Sequence, residues 1–367
     1  MTASYDVIVI GAGQAGLAAG YYLQRAGMRF VLLDGASEIG ESWRRRWDSL
    51  RLFTPARYNA LPGLAFPGAP YSLPAKDDVA AYLKLYANRF GLPVRLRVRV
   101  SALHREANAF LVSTDEGPLT ASSVIVATGA NQRPRVPEFA RGLSPDVKQI
   151  HSSSYRNPAQ LSDGDVLVVG AGNSGAQIAL ELALSGRQVW LSGRDTGSLP
   201  RRLFGRDIYD WLWPTMMRPP ISSWLGRRLM DGRLFSGDPL IGMSRRQLVI
   251  PGLSTVGRTV AVAGGYPVLD DGRVLNAVRS IVWCTGFRPD FGWIHLPVFR
   301  PDGYPRHHRG LVEDAPGLAF VGLRHQQRVG SSLLGGVAED AQSVVTALHS
   351  RSAAHHIQLP ASVRLAI

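Results

Sequence analysis

The sequence predicts an α/β fold of two similar units, the second inserted into the first. Three observations predict it. A short apolar, strand-like run leads into a GxGxxG turn twice, within residues 5–16 and 165–175. Each turn is followed by a helical stretch and a further strand, the β-α-β order of a doubly wound parallel sheet. Two more strand-like runs, residues 123–129 and 280–286, both end in Thr-Gly and bracket the second unit, as crossovers between the units would.

In the first unit, residues 5–10 (YDVIVI) read as a buried parallel strand. The turn follows as Gly11, Ala12, Gly13, Gln14, Ala15, Gly16. Gly11 makes the bend, Gly13 lets backbone approach a pyrophosphate, and Gly16 lets the helix lie close on the strand. Unpaired N–H groups and the positive helix end then face the phosphates. Residues 17–25 are helical in composition and Gly27 ends them; residues 30–33 form the next strand, closed by Asp34 and Gly35. A carboxylate at Asp34 stands where ribose hydroxyls are held in Rossmann-like dinucleotide-binding domains.

The second unit repeats the plan. Residues 165–169 (DVLVV) lead into Gly170, Ala171, Gly172, Asn173, Ser174 and Gly175, a helical stretch at 176–184, Gly186, and a strand at 188–191. The position after that strand carries Ser192 and Arg194 and no carboxylate. A hydroxyl and a guanidinium suit a 2′-phosphate, which favours NADPH over NADH. An ordinary surface arginine is the other reading of Arg194. The crossovers place Ala127, Thr128 and Gly129, then Thr285 and Gly286, beside the nucleotides. Residues 318–323 form a last core strand. Leu333 and Leu334 precede a helix over about 338–349, which either aims its N-terminus at the first cofactor or simply packs. The predicted division is residues 1–157 and 286–350 for the first domain, 158–285 for the inserted one, and 351–367 as a peripheral tail, whose His355 and His356 are assigned no role.

Composition bounds the rest. With 367 residues, 45% hydrophobic, the chain can bury more than one core. The formal charge of +13 comes almost wholly from arginine, since only Lys76, Lys84 and Lys148 are lysines. The arginines are scattered, without a helix-turn-helix, finger spacing or aromatic-interleaved tract, so a basic surface is favoured over a specific nucleic-acid partner. Cys284 is the single cysteine. It excludes an intramolecular disulfide, a CxxC redox centre and a cysteine metal cluster, and it fits a reducing, cytoplasmic setting. No basic-then-apolar leader opens the chain, and no apolar run is long enough to span a bilayer. No metal site is expected.

The combined pattern resembles the flavin-containing monooxygenase superfamily, in its small bacterial and plant auxin-synthesis-like branch, over nearly the whole chain. The first GxGxxG, Ala127-Thr128-Gly129, the second GxGxxG and the TGFRPD run from Thr285 to Asp290 occur in the family's order. Gly40, Glu41, Ser42 and Trp43 match its glycine-x-x-tryptophan element beside the flavin. His151 and Tyr155 match the end of its FxGxxxHxxxY fingerprint, while Pro145 and Val147 stand where its phenylalanine and glycine would be. The resemblance implies FAD on the first unit and NADPH on the second. NADPH reduces the flavin, and O2 then forms a C4a-(hydro)peroxyflavin that oxygenates nitrogen, sulfur or a carbonyl carbon of a small organic substrate. No covalent nucleophile is needed. The implied positioning residues are Trp43, His151 and Tyr155, and sequence position alone adds Gln326 or Gln327 facing the flavin ring.

Two features keep alternatives open. A gap-free reading from Trp47 puts Phe53 where family members often carry an asparagine, with Asn59 six residues on. An NAD(P)H oxidase that releases peroxide is therefore a second reading; a basic sensor or nucleic-acid-associated protein, suggested by charge alone, is a third. Residues 195–250, rich in tryptophan, methionine and arginine and broken by Pro219 and Pro220, read as a substrate lid or membrane-leaning surface, or else as a dimer contact or local packing around the second unit. A homodimer stays open. Thioredoxin-reductase-like enzymes share the two-nucleotide plan but need the cysteine pair that Cys284 cannot supply; it reads as a small core residue.

Overall fold

The computed structural model describes residues 4–230, 239–243 and 245–358. The first sheet opens with β1 (Ser4–Ile10), α1 (Gln14–Arg25) and β2 (Phe30–Asp34). Val7 and Val9 pack with α1, whereas Ile8 and Ile10 pack on the opposite face, so the strand is apolar throughout because both faces are covered. The short helix α2 (Glu41–Arg44) and then α3 (Lys76–Arg89) follow. They precede β3 (Val94–Leu96), β4 (Val100–Glu106), β5 (Ala109–Thr114) and β6 (Leu119–Val126). The order is β3-β2-β1-β6-β5-β4, and the late strand Leu318–Phe320 also pairs with β6. β4 and β5 are antiparallel, an edge extension not predicted from sequence; the remaining neighbours run parallel, apart from the antiparallel β5–β6 pair.

The second sheet is parallel and has five strands. Its centre is Asp165–Val169, flanked by Val189–Ser192 and Val278–Trp283, with Leu253–Val256 and Lys148–His151 at the edges. The helix Asn173–Leu184 covers the face that carries Val166 and Val168. Those residues belong to one continuous apolar cluster with Val7, Val9 and Leu17, so the helix-bearing faces of both sheets share a core. Both motif helices start inside the glycine turn, three residues earlier than their composition alone suggests, and the crossover strands stop at Val126 and Trp283, leaving each Thr-Gly in a loop.

Residues 198–221 include the helix Ile208–Leu212 and the π turn Trp213–Met217. Ile208, Tyr209 and Leu212 form a small cluster that takes Leu199 and Ile241 from the second unit and Phe53 and Tyr58 from the first. Ile221 N–H donates to Gln327 O at 2.7 Å and Gly330 N–H to Met217 O at 3.1 Å. This segment is a strap from the second unit across loops of the first. The last helix, Val337–Gln358, packs through Ala341, Val344 and Leu348 into the cluster that holds Leu17 and Ala18. It continues to residue 358, into the first part of the stretch expected as a peripheral tail; the side chains of His355 and His356 and residues 359–367 lie outside the described residues. Among the described residues no helix is long and apolar enough to cross a membrane.

Candidate functional site: two glycine turns and an arginine-lined cavity

The two turns are built alike. Gly11 has φ +104° and Gly170 φ +112°, a region that favours glycine. A Cβ on Gly11 would lie 2.7 Å from Ala127 O, and one on Gly170 2.3 Å from Cys284 O, so each turn is wedged against a crossover. A Cβ on Gly16 or Gly175 would sit 1.8 Å from the carbonyl of Gly11 or Gly170. Gly13 and Gly172 are the opposite case: nothing lies within 4 Å of a Cβ built there. Neither helix start has a side-chain cap or an acidic residue in its first turn. Unpaired N–H groups thus face open space, the arrangement a pyrophosphate needs.

Around the first turn, Asp34 accepts from Ala12 N–H at 2.7 Å and Ala36 N–H at 2.9 Å, which fixes a half-buried carboxylate beside it. Gly35 is exposed next to it. Gln14 donates to Ser332 O at 2.9 Å, and a Cβ on Gly322 would meet Ala15, so the chain that returns after Leu318–Phe320 closes over the same helix start. Leu334 is buried in the shared core and Leu333 is half-buried. Gly40 (φ +86°) lets α2 rest on Ala80 of α3, leaving Trp43 packed on the core and Ser42 exposed. Glu41 accepts from Ser37, a bond that holds its carboxyl below the usual range.

Around the second turn lies a cavity of about 1230 Å³. Its walls include Gly170, Ala171, Gly193, Arg194 and Thr285, together with Arg135, Arg141, Arg258 and Arg288. Among the described residues five arginines line it, and Glu138 is the only acidic one. Arg258 was not singled out from sequence because the strand before it, Leu253–Val256, was not recognised; the rule that ligands sit at the carboxyl ends of parallel strands would have found it. Ser192 also lines this cavity, but its hydroxyl is already engaged. It is fully buried, and its hydroxyl bonds Gly257 O, Thr259 Oγ1 and Thr259 N–H, so it holds the strand end and has no capacity left for a phosphate. Asn173 is likewise engaged, donating to Pro239 O and accepting from Ile241 N–H. Ser174 is exposed.

The crossovers meet each other. Arg133–Pro134 pairs antiparallel with Phe287–Arg288, Arg135 N–H donates to Gly286 O at 3.0 Å, and Arg133 pairs with Asp290 at 2.6 Å. Thr285 Oγ1 donates to Arg135 O; Thr128 Oγ1 accepts from Gln132. Gly129 takes φ +74° beside them. His151 is buried and its Nε2 bonds Gly286 O at 3.0 Å. Since its Nδ1 accepts from Ser153 N–H, Nε2 carries the proton. Burial lowers its pKa, outweighing the Gly286 bond, and Arg46 adds to the lowering, so the ring is neutral at pH 7. Tyr155 is fully buried and donates to Glu181 Oε2 at 2.7 Å. Both side chains face protein: one ties the linker to a crossover, the other ties it to the helix Asn173–Leu184.

Gln326 is a further correction. It is 2% exposed, donates to Phe320 O at 2.8 Å and accepts from Leu323 N–H. Its amide is spent on a turn. Gln327 is also buried, accepting from Arg309 Nε. Burial pushes the Cys284 thiol up to about 12, which removes it from thiolate chemistry.

A family model, pyridine nucleotide-disulphide oxidoreductase, matches residues 8–217. A CzcO-like oxidoreductase of Geobacillus kaustophilus is 42% identical over 93% of this chain and 97% of its own. Rice indole-3-pyruvate monooxygenase YUCCA1 is 34% identical over 64% of this chain and 57% of its own. A flavin-containing monooxygenase from Stenotrophomonas maltophilia superimposes with a TM-score of 0.77 at 27% identity, covering 96% of this chain and 100% of that one. The protein is an enzyme, an oxidoreductase homologous to flavin-dependent oxidoreductases and monooxygenases. With matching turns, crossovers and relatives, the chain belongs to the pyridine nucleotide-disulphide oxidoreductase and flavin monooxygenase-like family, related to CzcO-like oxidoreductases and to bacterial and plant flavin monooxygenases.

Proposed function

We propose that the protein is an NADPH-dependent flavin monooxygenase of small organic molecules. FAD is held at the Gly11–Gly16 turn, with Asp34 on the ribose, and NADPH in the arginine-lined cavity. The observation that carries this reading is the paired glycine turns with open space at Gly13 and Gly172, and beside the second turn an arginine-lined cavity that Gly170 and Ala171 help to wall. Arg194 and Arg258 suit a phosphate on the second nucleotide. Sheet membership supports the insertion: the five strands of the second sheet all lie between residues 148 and 283, and the seven strands of the first lie before residue 127 or after residue 317. Because the strand Lys148–His151 pairs into the second sheet, the expected boundary at 157/158 moves earlier: we assign residues 1–147 and 286–350 to the FAD domain and 148–285 to the NADPH domain.

Bound FAD would supply hydride acceptance and oxygen activation; the protein supplies distance and orientation. Main-chain amides at the two turns hold the anionic nucleotides, and the crossover ribbon with His151 sets how the units meet. A second reading, an NAD(P)H oxidase releasing peroxide, is favoured by one observation. Asn59 is buried and donates its amide to Thr54 O and Pro55 O, while its oxygen accepts from Thr54 Oγ1, so it does not replace a polar group missing at Phe53. The test reduces FAD-loaded protein with NADPH without oxygen, then admits oxygen with candidate amines, sulfides and ketones. Bleaching by NADPH followed by product above peroxide supports oxygenation. Stoichiometric peroxide selects the oxidase, and no bleaching overturns both.

A further inference from the structure

Exposed apolar side chains scattered singly need no explanation, but one group is concentrated at the tip of a hairpin. Arg202–Leu203 pairs antiparallel with Arg206–Asp207, and the two-residue turn between them is Phe204-Gly205. Both turn residues have positive φ, +50° for Phe204 and +76° for Gly205, as a two-residue hairpin turn of this hand requires. Asparagine or glycine fits the first position without strain; a bulky aromatic does not. Phe204 is nevertheless there, 86% exposed, with Leu203 at 38% and Trp211 at 40% beside it. Trp211 meets Phe204 edge-on at 6.5 Å and donates to Leu203 O.

The base of this hairpin is rigid. Arg201 pairs with Asp207 at 2.7 Å and donates to Phe53 O at 2.6 Å, and Asp207 caps the following helix through Tyr209 N–H. The exposed charges flanking the tip, Arg202 and Arg206, are both positive, and Arg206 stacks on Trp211 at 5.9 Å. Asp210, whose field reaches Arg206, is taken up by Tyr58, Tyr71 and Arg57. An apolar tip ringed by arginines matches the boundary of an anionic bilayer, where aromatic rings sit at headgroup depth and guanidinium groups meet phosphate. It suits a second copy of the chain poorly, because a two-fold contact would set Arg202 and Arg206 against their own images. A convex tip of three side chains also falls short of the area a stable dimer buries.

We propose that this hairpin is a peripheral membrane contact, with Phe204 and Trp211 entering the headgroup layer of an anionic bilayer and Arg202 and Arg206 meeting its phosphates. The full chain should float with vesicles of phosphatidylcholine mixed with phosphatidylglycerol and stay behind with phosphatidylcholine alone. Phe204→Ser should weaken the partitioning at least about tenfold. Arg202→Glu with Arg206→Glu should weaken it by about thirtyfold or more. Both variants should keep the wild-type thermal midpoint and NADPH-dependent flavin reduction. Wild-type protein that never floats, floats equally with neutral vesicles, or still floats as the Phe204→Ser variant overturns the proposal. So does a concentration-dependent dimer in gel filtration that Phe204→Ser abolishes, since the tip would then be a protein contact.

Discussion

Arg194 and Asp340 show how differently a charge can be placed. Arg194 is exposed at the cavity, where the proposed function gives it a charge-assisted bond to a 2′-phosphate. Arg194→Ala should raise the Kd for NADP+ roughly tenfold to a hundredfold and leave NAD+ nearly unchanged; titration of both nucleotides measures it, and an equal loss for both would place Arg194 elsewhere on the nucleotide. Asp340 is fully buried on the last helix, bonded by Arg328 at 3.2 Å, and burial raises its pKa to about 6 despite Ser331 and Arg328. From about pH 4 to 6 the folded protein keeps a proton the unfolded chain has lost, so stability from this group falls as pH rises through that window and is fullest below it. Asp340→Asn should flatten that fall, read as the urea midpoint against pH. Single residues were the least legible scale. Asp34 was readable because its position follows from the motif it closes. Gln326, Ser192 and Asn173 were not, because their polar atoms are consumed by Phe320, Gly257 and Pro239, partners that only the folded chain brings near.

Within one element, the glycines of the second turn separate fold from binding. Gly175→Ala places a methyl 1.8 Å from Gly170 O, so the helix must leave its strand; the variant should melt lower by several degrees or fail to accumulate. Gly172→Ala meets only open space, so its unfolding free energy should stay within about 0.5 kcal/mol of wild type. It should nonetheless lose NADPH affinity, since a methyl then fills the place of the phosphates. Calorimetry and nucleotide titration on the two variants check the pair. Such turns were legible because every contact defining them lies within a β-α-β stretch or at an adjacent strand end. The strap was not. Trp213 reaches Tyr58 at 5.1 Å, a contact that crosses more than a hundred residues and leaves no local period.

At the level of the whole molecule, two units must meet at one geometry. His151 contributes by donating to Gly286 O, at the start of the crossover ribbon. His151→Ala should slow flavin reduction by NADPH about tenfold to a hundredfold with little change in nucleotide Kd, and His151→Gln, which can still donate, should restore part of the rate. Because the ring is already neutral at pH 7, this rate should not change above neutral pH on its account. The repeated β-α-β pattern made the presence of two units legible. It could not show that both helix faces share one core, since that depends on how the sheets are set against each other.

The ribbon of Arg133–Pro134 and Phe287–Arg288 also means that the polypeptide leaves for the second sheet and comes back through neighbouring positions. Strands so paired lie about 4.8 Å apart, a gap that a tight two-residue turn spans. Genetic removal of everything between them, sealed with such a turn, would keep all seven strands of the first sheet on one continuous polypeptide. That miniature should still colour yellow with flavin while ignoring pyridine nucleotide, turning the ribbon into a natural seam for grafting a foreign reductase module.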